Sequence, residues 1–159
     1  IRVCKELGCD GISVGVQRRD GTMDMERMQR VIEWAHPMGV TCNRAFDSVP
    51  DPYRALAEII ACGCERVLTS GQKSSAPEGA EVLRLLVRQA AGRISIMPGA
   101  GVRSSNIAQL IRETGAWEYH TSARMAVSNP MTWQNDAITD YGKVWMADEK
   151  ELRAILEQM

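Results

Sequence analysis

Period constrains this chain more than any other feature. Short β-branched runs alternate with longer stretches of helical spacing, and each pair fills about 25–30 residues, the length of a strand joined to a crossover helix. Residues 11–16 are the first run, preceded by a helix-like stub over 1–7 that Gly8 closes, since glycine suits the positive φ beyond a helix C-terminus. Over 24–36, Met25, Met28, Val31, Ile32 and Ala35 share one helical face, and Pro37 and Gly39 end it. A second strand follows at 40–45. Asp51 and Pro52 then read as a capping residue and a proline at the first helical position, opening a helix that Gly63 stops after Cys62. The third strand is 66–69, and a polar loop at 70–77 leads to a helix over 78–91. The fourth strand, 94–97, runs into Pro98-Gly99-Ala100-Gly101 and a helix over 105–113. A fifth strand at 117–120, an irregular stretch at 121–147 and a helix over 148–157 complete the order.

Strands this short and apolar, alternating with helices, indicate an α/β fold with a parallel sheet covered by helices. Every strand leaves through a polar, glycine-bearing loop straight into a helix, which favours a TIM-type (β/α)8 barrel over a doubly wound sheet. A barrel takes eight strands and about 250 residues. With 159 residues, the chain is expected to be a single partial barrel domain over 1–159, holding the last five β/α units, strands 4 to 8. About three further units are then expected ahead of Ile1. Opening a barrel there leaves 11–16 and 117–120 as unpaired edges, which favours self-association into a homo-oligomer.

Composition narrows the partners. Nineteen Lys and Arg against twenty Asp and Glu give a net charge of −1, so nothing electrostatic points to nucleic acid or an anionic membrane. Apolar runs such as 59–62 are far shorter than the roughly 18 residues of a membrane span. The five cysteines at 4, 9, 42, 62 and 64 are odd in number and irregularly spaced, fitting reduced thiols and a cytoplasmic location.

Three strand exits carry polar groups that a parallel sheet presents at one rim. Alternation places Glu118, His120 and Ser122 on one face and Trp117, Tyr119 and Thr121 on the other, against the helices. Glu118 and His120 suit either proton transfer or metal ligation, or else a buried hydrogen-bonded pair holding the strand end. Asn43, Arg44 and Asp47 stand at the second exit, where an Arg and an Asp three apart most often bridge loop to loop. The Gly99 and Gly101 loop can bind phosphate through backbone N–H groups and the following helix. It reads equally as a tight turn with Ser104 or Ser105 as the helix cap. Cys62-Gly63-Cys64 is a weak pattern for a soft ion such as Cu(I), with Cys42 nearby in sequence order, and buried core packing competes with it. The nine methionines read as core filler.

The strings Asn43-Arg44-Ala45-Phe46-Asp47, Arg66-Val67-Leu68-Thr69-Ser70-Gly71-Gln72, Ile96-Met97-Pro98-Gly99-Ala100-Gly101-Val102 and Glu118-Tyr119-His120-Thr121-Ser122-Ala123 together resemble the CutC copper homeostasis family. The resemblance extends to Met131-Thr132-Trp133-Gln134-Asn135, which looks like the family's C-terminal loop. It implies a cytoplasmic (β/α)8-type barrel in copper handling, with Cu(I) as the proposed ligand and no enzymatic reaction established. It also implies that Arg44, Asp47, Glu118 and His120 are rim polar groups. Where the family usually has histidine, this chain has Asn43, and the cysteines proposed as copper ligands in some members belong to earlier strands. The competing expectation is a barrel enzyme acting on a small phosphorylated or carboxylated metabolite. In that reading the glycine loop holds the anion, Arg44 clamps it, and Glu118 with His120 moves a proton.

Overall fold

The computed structural model describes residues 1–133, 135, 137 and 144–159. Strands β1 (Gly11–Val14), β2 (Gly39–Cys42), β3 (Arg66–Thr69) and β4 (Ser95–Pro98) form one parallel sheet in chain order. Its register sets Ser13 beside Thr41, Thr41 beside Arg66, and Leu68 beside Met97. Helices α1 (Arg2–Glu6), α2 (Met25–Ala35), α3 (Pro52–Cys62), α4 (Ala80–Ala90) and α5 (Ile107–Thr114) connect and flank the strands, and α6 (Glu149–Leu156) ends the chain.

The period of two along each strand divides the sheet into unlike faces. Val40, Cys42, Val67, Thr69, Ile96 and Pro98 are buried against the helices, whereas Thr41, Arg66, Leu68 and Met97 on the opposite face are only half-buried. The helices deliver Met28, Leu56, Ile59, Leu83, Leu86 and Ile107 into the covered side, each fully buried. Burying a side chain of this kind contributes about 1.5–3 kcal/mol, so the covered face is where the fold is held. The local signals act as expected at the ends of α3. Asp51 accepts from the amides of Tyr53 and Arg54 at 3.0 Å each, and Gly63 closes the helix at φ 95°. Gly8 likewise follows α1 at φ 74°.

Several sequence expectations are corrected. The second strand stops at Cys42, because the Asn43 side chain accepts from Ala45 N at 2.9 Å and starts a 3₁₀ turn over Arg44–Ser48. No strand forms at 117–120. That segment runs beside β4 with a single backbone bond to it, His120 N to Pro98 O at 2.9 Å, too few to make a ladder. Of the two aromatics expected against the helices, Tyr119 packs there, but Trp117 is 65% exposed.

Within the span expected to be irregular, residues 134, 136 and 138–143 lie outside the described residues, and the remainder holds two further strands. β5 (Arg124–Val127) and β6 (Val144–Ala147) pair antiparallel, with Met125 opposite Met146 and the Arg124 guanidinium 4.6 Å from the Trp145 ring centre. Neither serine caps α5. Its cap residue is Asn106, whose side chain accepts from Arg103 N, and Ser104 is bonded to Glu151 of α6 through its amide at 2.8 Å and its hydroxyl at 2.7 Å.

If the helix-facing side of the sheet is the core, Leu56→Ala lowers the unfolding free energy by about 2–5 kcal/mol. Leu152→Ala on α6, where the residue is 44% exposed, stays within about 0.5 kcal/mol. Urea titrations of both variants check this, and equal losses would place the core elsewhere.

Candidate functional site

All four parallel strands point their C-terminal ends to one rim, and the loops there supply the polar groups. The first is a knot on Asp47. Its carboxylate accepts from Arg44 Nε at 2.7 Å, Thr69 Oγ1 at 2.5 Å, Ser70 N at 3.0 Å and Gln72 N at 3.2 Å. The turn after β2 is thereby tied to the loop after β3. Arg44 Nη2 also donates to Ser70 Oγ at 3.0 Å, so its guanidinium is held on two sides. The loop-to-loop bridge expected of Arg44 and Asp47 is what they build.

The second element is the loop after β4. Ala100 and Gly101 follow one another in the left-handed region, at φ 72° and 75°. That conformation is free for glycine but costs a residue with a Cβ about 1–3 kcal/mol, so the strain at Ala100 persists only because neighbours fix the turn. Ala76 N donates to Ala100 O at 2.8 Å, Asn106 Nδ2 to Gly101 O at 2.9 Å and Thr121 Oγ1 to Val102 O at 2.9 Å. The carbonyls are thus engaged, while the amides of Ala100, Gly101 and Val102 have no protein acceptor among the described residues. At Gly99 a Cβ would stand 2.5 Å from Leu68 Cδ1 and 3.4 Å from His120 Cβ. Glycine there admits both side chains.

Between these elements lies a cavity of about 400 Å³ whose walls include Arg44, Gly101, Arg103, His120, Ser122 and Arg124. Arg103 Nη1 donates to the Arg124 backbone carbonyl at 2.9 Å, and the Arg124 guanidinium itself lies over Trp145. Three arginines and a loop with free amides line this concavity, Arg44 being paired to Asp47. Such a lining suits phosphate or carboxylate, which guanidinium groups bind through paired hydrogen bonds.

A second cavity, of about 500 Å³, opens on the half-buried face of the sheet. Leu68 and His120 line both cavities. Here Arg66 grips Glu118 with Nε to Oε2 and Nη2 to Oε1, each 2.7 Å, and Arg66 Nη1 reaches Thr41 Oγ1 at 3.4 Å. Ser95, beside Arg66 in register, has its Oγ buried with no hydrogen-bond partner among the described residues.

Of the residues singled out in the sequence, Arg44, Gly101, His120 and Ser122 meet at the rim cavity. Gly99 lies behind His120, and Asn43 and Asp47 hold the loop that presents Arg44. Glu118 and His120 share a face, but Glu118 is bonded to Arg66 and no hydrogen bond joins it to His120, so the expected hydrogen-bonded pair does not form. Arg103, Arg124 and Arg66 were not singled out. Arg103 directly follows the glycine loop, and Arg66 alternates with Leu68 toward the inner face, so both had a signal. Arg124 had none in a stretch read as irregular.

The cysteines line neither of these cavities, although Cys42 ends β2 one residue before Asn43. Cys42 and Cys64 are buried on the helix side, and burial first, then each one's neighbouring thiol, pushes both up to about 12. Burial also raises Cys62. A soft metal binds thiolate, and these thiols are protonated near neutral pH. No group of three or more His, Cys, Asp or Glu among the described residues could hold a metal ion. Among the described residues, the buried and protonated Cys42 and Cys64 are a poor match for Cu(I).

The Arg66 guanidinium holds the Glu118 carboxyl below the usual carboxylate range. A depressed folded value means that the unfolded chain binds the proton more readily, so the stabilisation is complete above the ordinary Glu value of about 4.3. It is lost as pH falls through the lowered folded value. Urea midpoints measured from neutral pH down to about pH 3 should therefore fall less steeply for Glu118→Gln than for the parent chain. Parallel curves would refute the pair as a contributor.

Comparison with known proteins places this geometry in a family. Residues 1–125 match the model of the CutC family. A CutC family protein of Parabacteroides distasonis is 49% identical over 138 residues, covering 87% of this chain and 57% of that protein. A CutC family protein of Xanthomonas campestris pv. campestris is 46% identical over 158 residues, 99% of this chain and 66% of that one. The chain thus spans a little over half to two thirds of the length of these relatives. The crystal structure of CutC from Streptococcus agalactiae, whose assignment to copper homeostasis is by name, superposes with a TM-score of 0.69 at 27% identity over 73% of this chain and 57% of that one. A structure described as native KDPGal, at TM-score 0.57 and 14% identity, covers 96% of this chain and 59% of that one and shares the fold alone. With its four-stranded parallel sheet, its rim loops and these matches together, the chain belongs to the CutC family.

Proposed function

We propose that this chain contributes the C-terminal part of a (β/α)8 barrel in copper homeostasis, its four parallel strands with the segment 117–120 beside β4, and that its own residues there hold a small anion and leave Cu(I) to other donors. The single observation that carries this reading is the rim cavity, where Arg44, Arg103 and Arg124 converge with the unpaired amides of the glycine loop. The C-terminal rim is where barrels of this type bind ligands, often anions held by late loops. Cys42 and Cys64 support the same reading by being buried on the helix side of the sheet, their thiols raised to about 12. Five free cysteines fit a reducing, cytoplasmic compartment.

A second reading, an enzyme acting on a phosphorylated or carboxylated metabolite, draws on His120. Its ring borders both cavities, and with Glu118 committed to Arg66 it is the rim group suited to proton transfer. Under this reading His120→Gln abolishes turnover of such a metabolite and leaves inorganic phosphate affinity within about twofold, a factor too small to reflect a lost charged contact.

Titrating the chain with inorganic phosphate is expected to raise its thermal stability, by about 2.7 kcal/mol when phosphate exceeds its dissociation constant a hundredfold. Arg124→Ala is expected to weaken phosphate at least tenfold, about 1.4 kcal/mol. No stabilisation by phosphate, or an unchanged affinity in Arg124→Ala, would refute the anion site. In a competition assay with a Cu(I) chelator under reducing conditions, the chain should bind copper no tighter than a peptide carrying the same cysteines. Tight binding abolished by Cys42→Ser or Cys64→Ser would overturn the assignment of copper to other donors.

A further inference from the structure

We infer that Trp145 of β6 is a positioning residue of the anion site: its ring holds the Arg124 guanidinium at the rim without occupying the N–H groups that an anion would take. This rests on the anion reading above and adds how one of its guanidinium groups is kept in place. The contact follows from strand register. β5 and β6 pair antiparallel, with Arg124 opposite Ala147 and Ala126 opposite Trp145. Residues directly opposite share a face of the ribbon, and so do residues two apart on one strand. Arg124 and Trp145 are therefore diagonal neighbours on one face, a separation that an aromatic and a long side chain can span. The guanidinium carbon lies 4.6 Å from the centre of the Trp145 ring, within the range of cation–π attraction.

How an arginine is held decides what it can still bind. Arg66 gives Nε and Nη2 to Glu118, and Arg44 gives Nε to Asp47 and Nη2 to Ser70. Both arrangements occupy donors that an anion would use, and the carboxylate partners offset part of the charge. An aromatic ring attracts a guanidinium through its quadrupole, with no oxygen acceptor and no formal charge of its own. Among the described residues no oxygen acceptor takes the Arg124 N–H groups. Its backbone is fixed separately, by Arg103 Nη1 to Arg124 O at 2.9 Å and by Asp148 N to Ala123 O at 2.7 Å. These bonds dock the foot of the hairpin beside the glycine loop. What they leave free is the arginine's own torsions, and the ring restricts those before an anion arrives. The walls of the rim cavity include Arg124 and not Trp145, so the ring backs the guanidinium and takes none of the ligand's space.

Calorimetric titration of the chain and its variants with inorganic phosphate tests the inference. Trp145→Leu keeps apolar bulk and removes the aromatic face. It is expected to weaken phosphate about two- to fivefold, the worth of a cation–π contact open to water. Trp145→Phe keeps a ring and should recover most of that loss. In the Arg124→Ala background Trp145→Leu should cause no further loss, because the ring acts through that guanidinium. Trp34→Leu removes the other contact of this kind, Arg30 with Trp34 on α2 at 5.4 Å, and should leave phosphate affinity unchanged. Three outcomes would overturn the positioning role and leave the anion site standing: unchanged affinity in Trp145→Leu, a Phe variant as weak as the Leu variant, or a loss from Trp145→Leu that persists when Arg124 is already alanine. Phosphate that fails to bind the parent chain, or that binds Arg124→Ala as tightly as the parent, would remove the anion reading itself and this role with it.

Discussion

The carboxylate of Asp47 is the contact on which the rim depends. Four donors from three segments converge on it: a guanidinium from the turn after β2, a threonine hydroxyl at the end of β3, and two amides from the loop beyond. Charge-assisted hydrogen bonds of this kind are about twice as strong as neutral ones. Their convergence fixes loops that would otherwise be free to move over the sheet. The consequence for function is directional. Arg44 points toward the glycine loop because Asp47 and Ser70 hold it there, and without that restraint an exposed arginine would sample many rotamers at a cost to any ligand it binds.

What was legible in the sequence was whatever depends on local chemistry. The third strand and the helix opened by Asp51-Pro52 appear where the pattern put them, since a cap, an N1 proline and a stopping glycine act within a few residues. The outward burial of Cys42 follows from alternation alone. Long-range partnership was less legible. Glu118 and His120 do share a face, as the period of two requires. That Glu118 would be claimed by Arg66, 52 positions earlier, depends on how the segment beside β4 lies across the sheet from β3. The same holds for Ser104, which sequence reads as a helix cap and which the fold gives to Glu151 of α6. The hairpin of β5 and β6 was missed because its strands are short and exposed, so neither face carries the apolar alternation that marks a half-buried strand.

The family's name and this chain's donors pull in different directions, and burial reconciles them. Cysteine is among the most buried residue types when it packs as a small hydrophobe, and Cys42 and Cys64 do this on the helix side of β2 and just before β3. Burial that stabilises the core also raises their thiols to about 12, which opposes the deprotonation that soft-metal binding needs. A thiol serves packing or metal capture at neutral pH, and here the position on the strand decides for packing. The rim faces the opposite choice: its side chains are exposed, charged and held by other polar groups.

Strain at Ala100 belongs to the same division. A loop that served only to connect β4 to α5 could relax by placing glycine at both left-handed positions, yet the chain keeps a Cβ at one of them. The cost is offset by bonds to the carbonyls of residues 100–102, while the amides of the same residues have no protein acceptor among the described residues. A turn with its acceptors tied and its donors free has a fixed positive polarity. Set between arginines, it adds to their field without adding a titratable group, so the attraction for an anion at this rim holds across the pH range in which guanidinium groups remain charged.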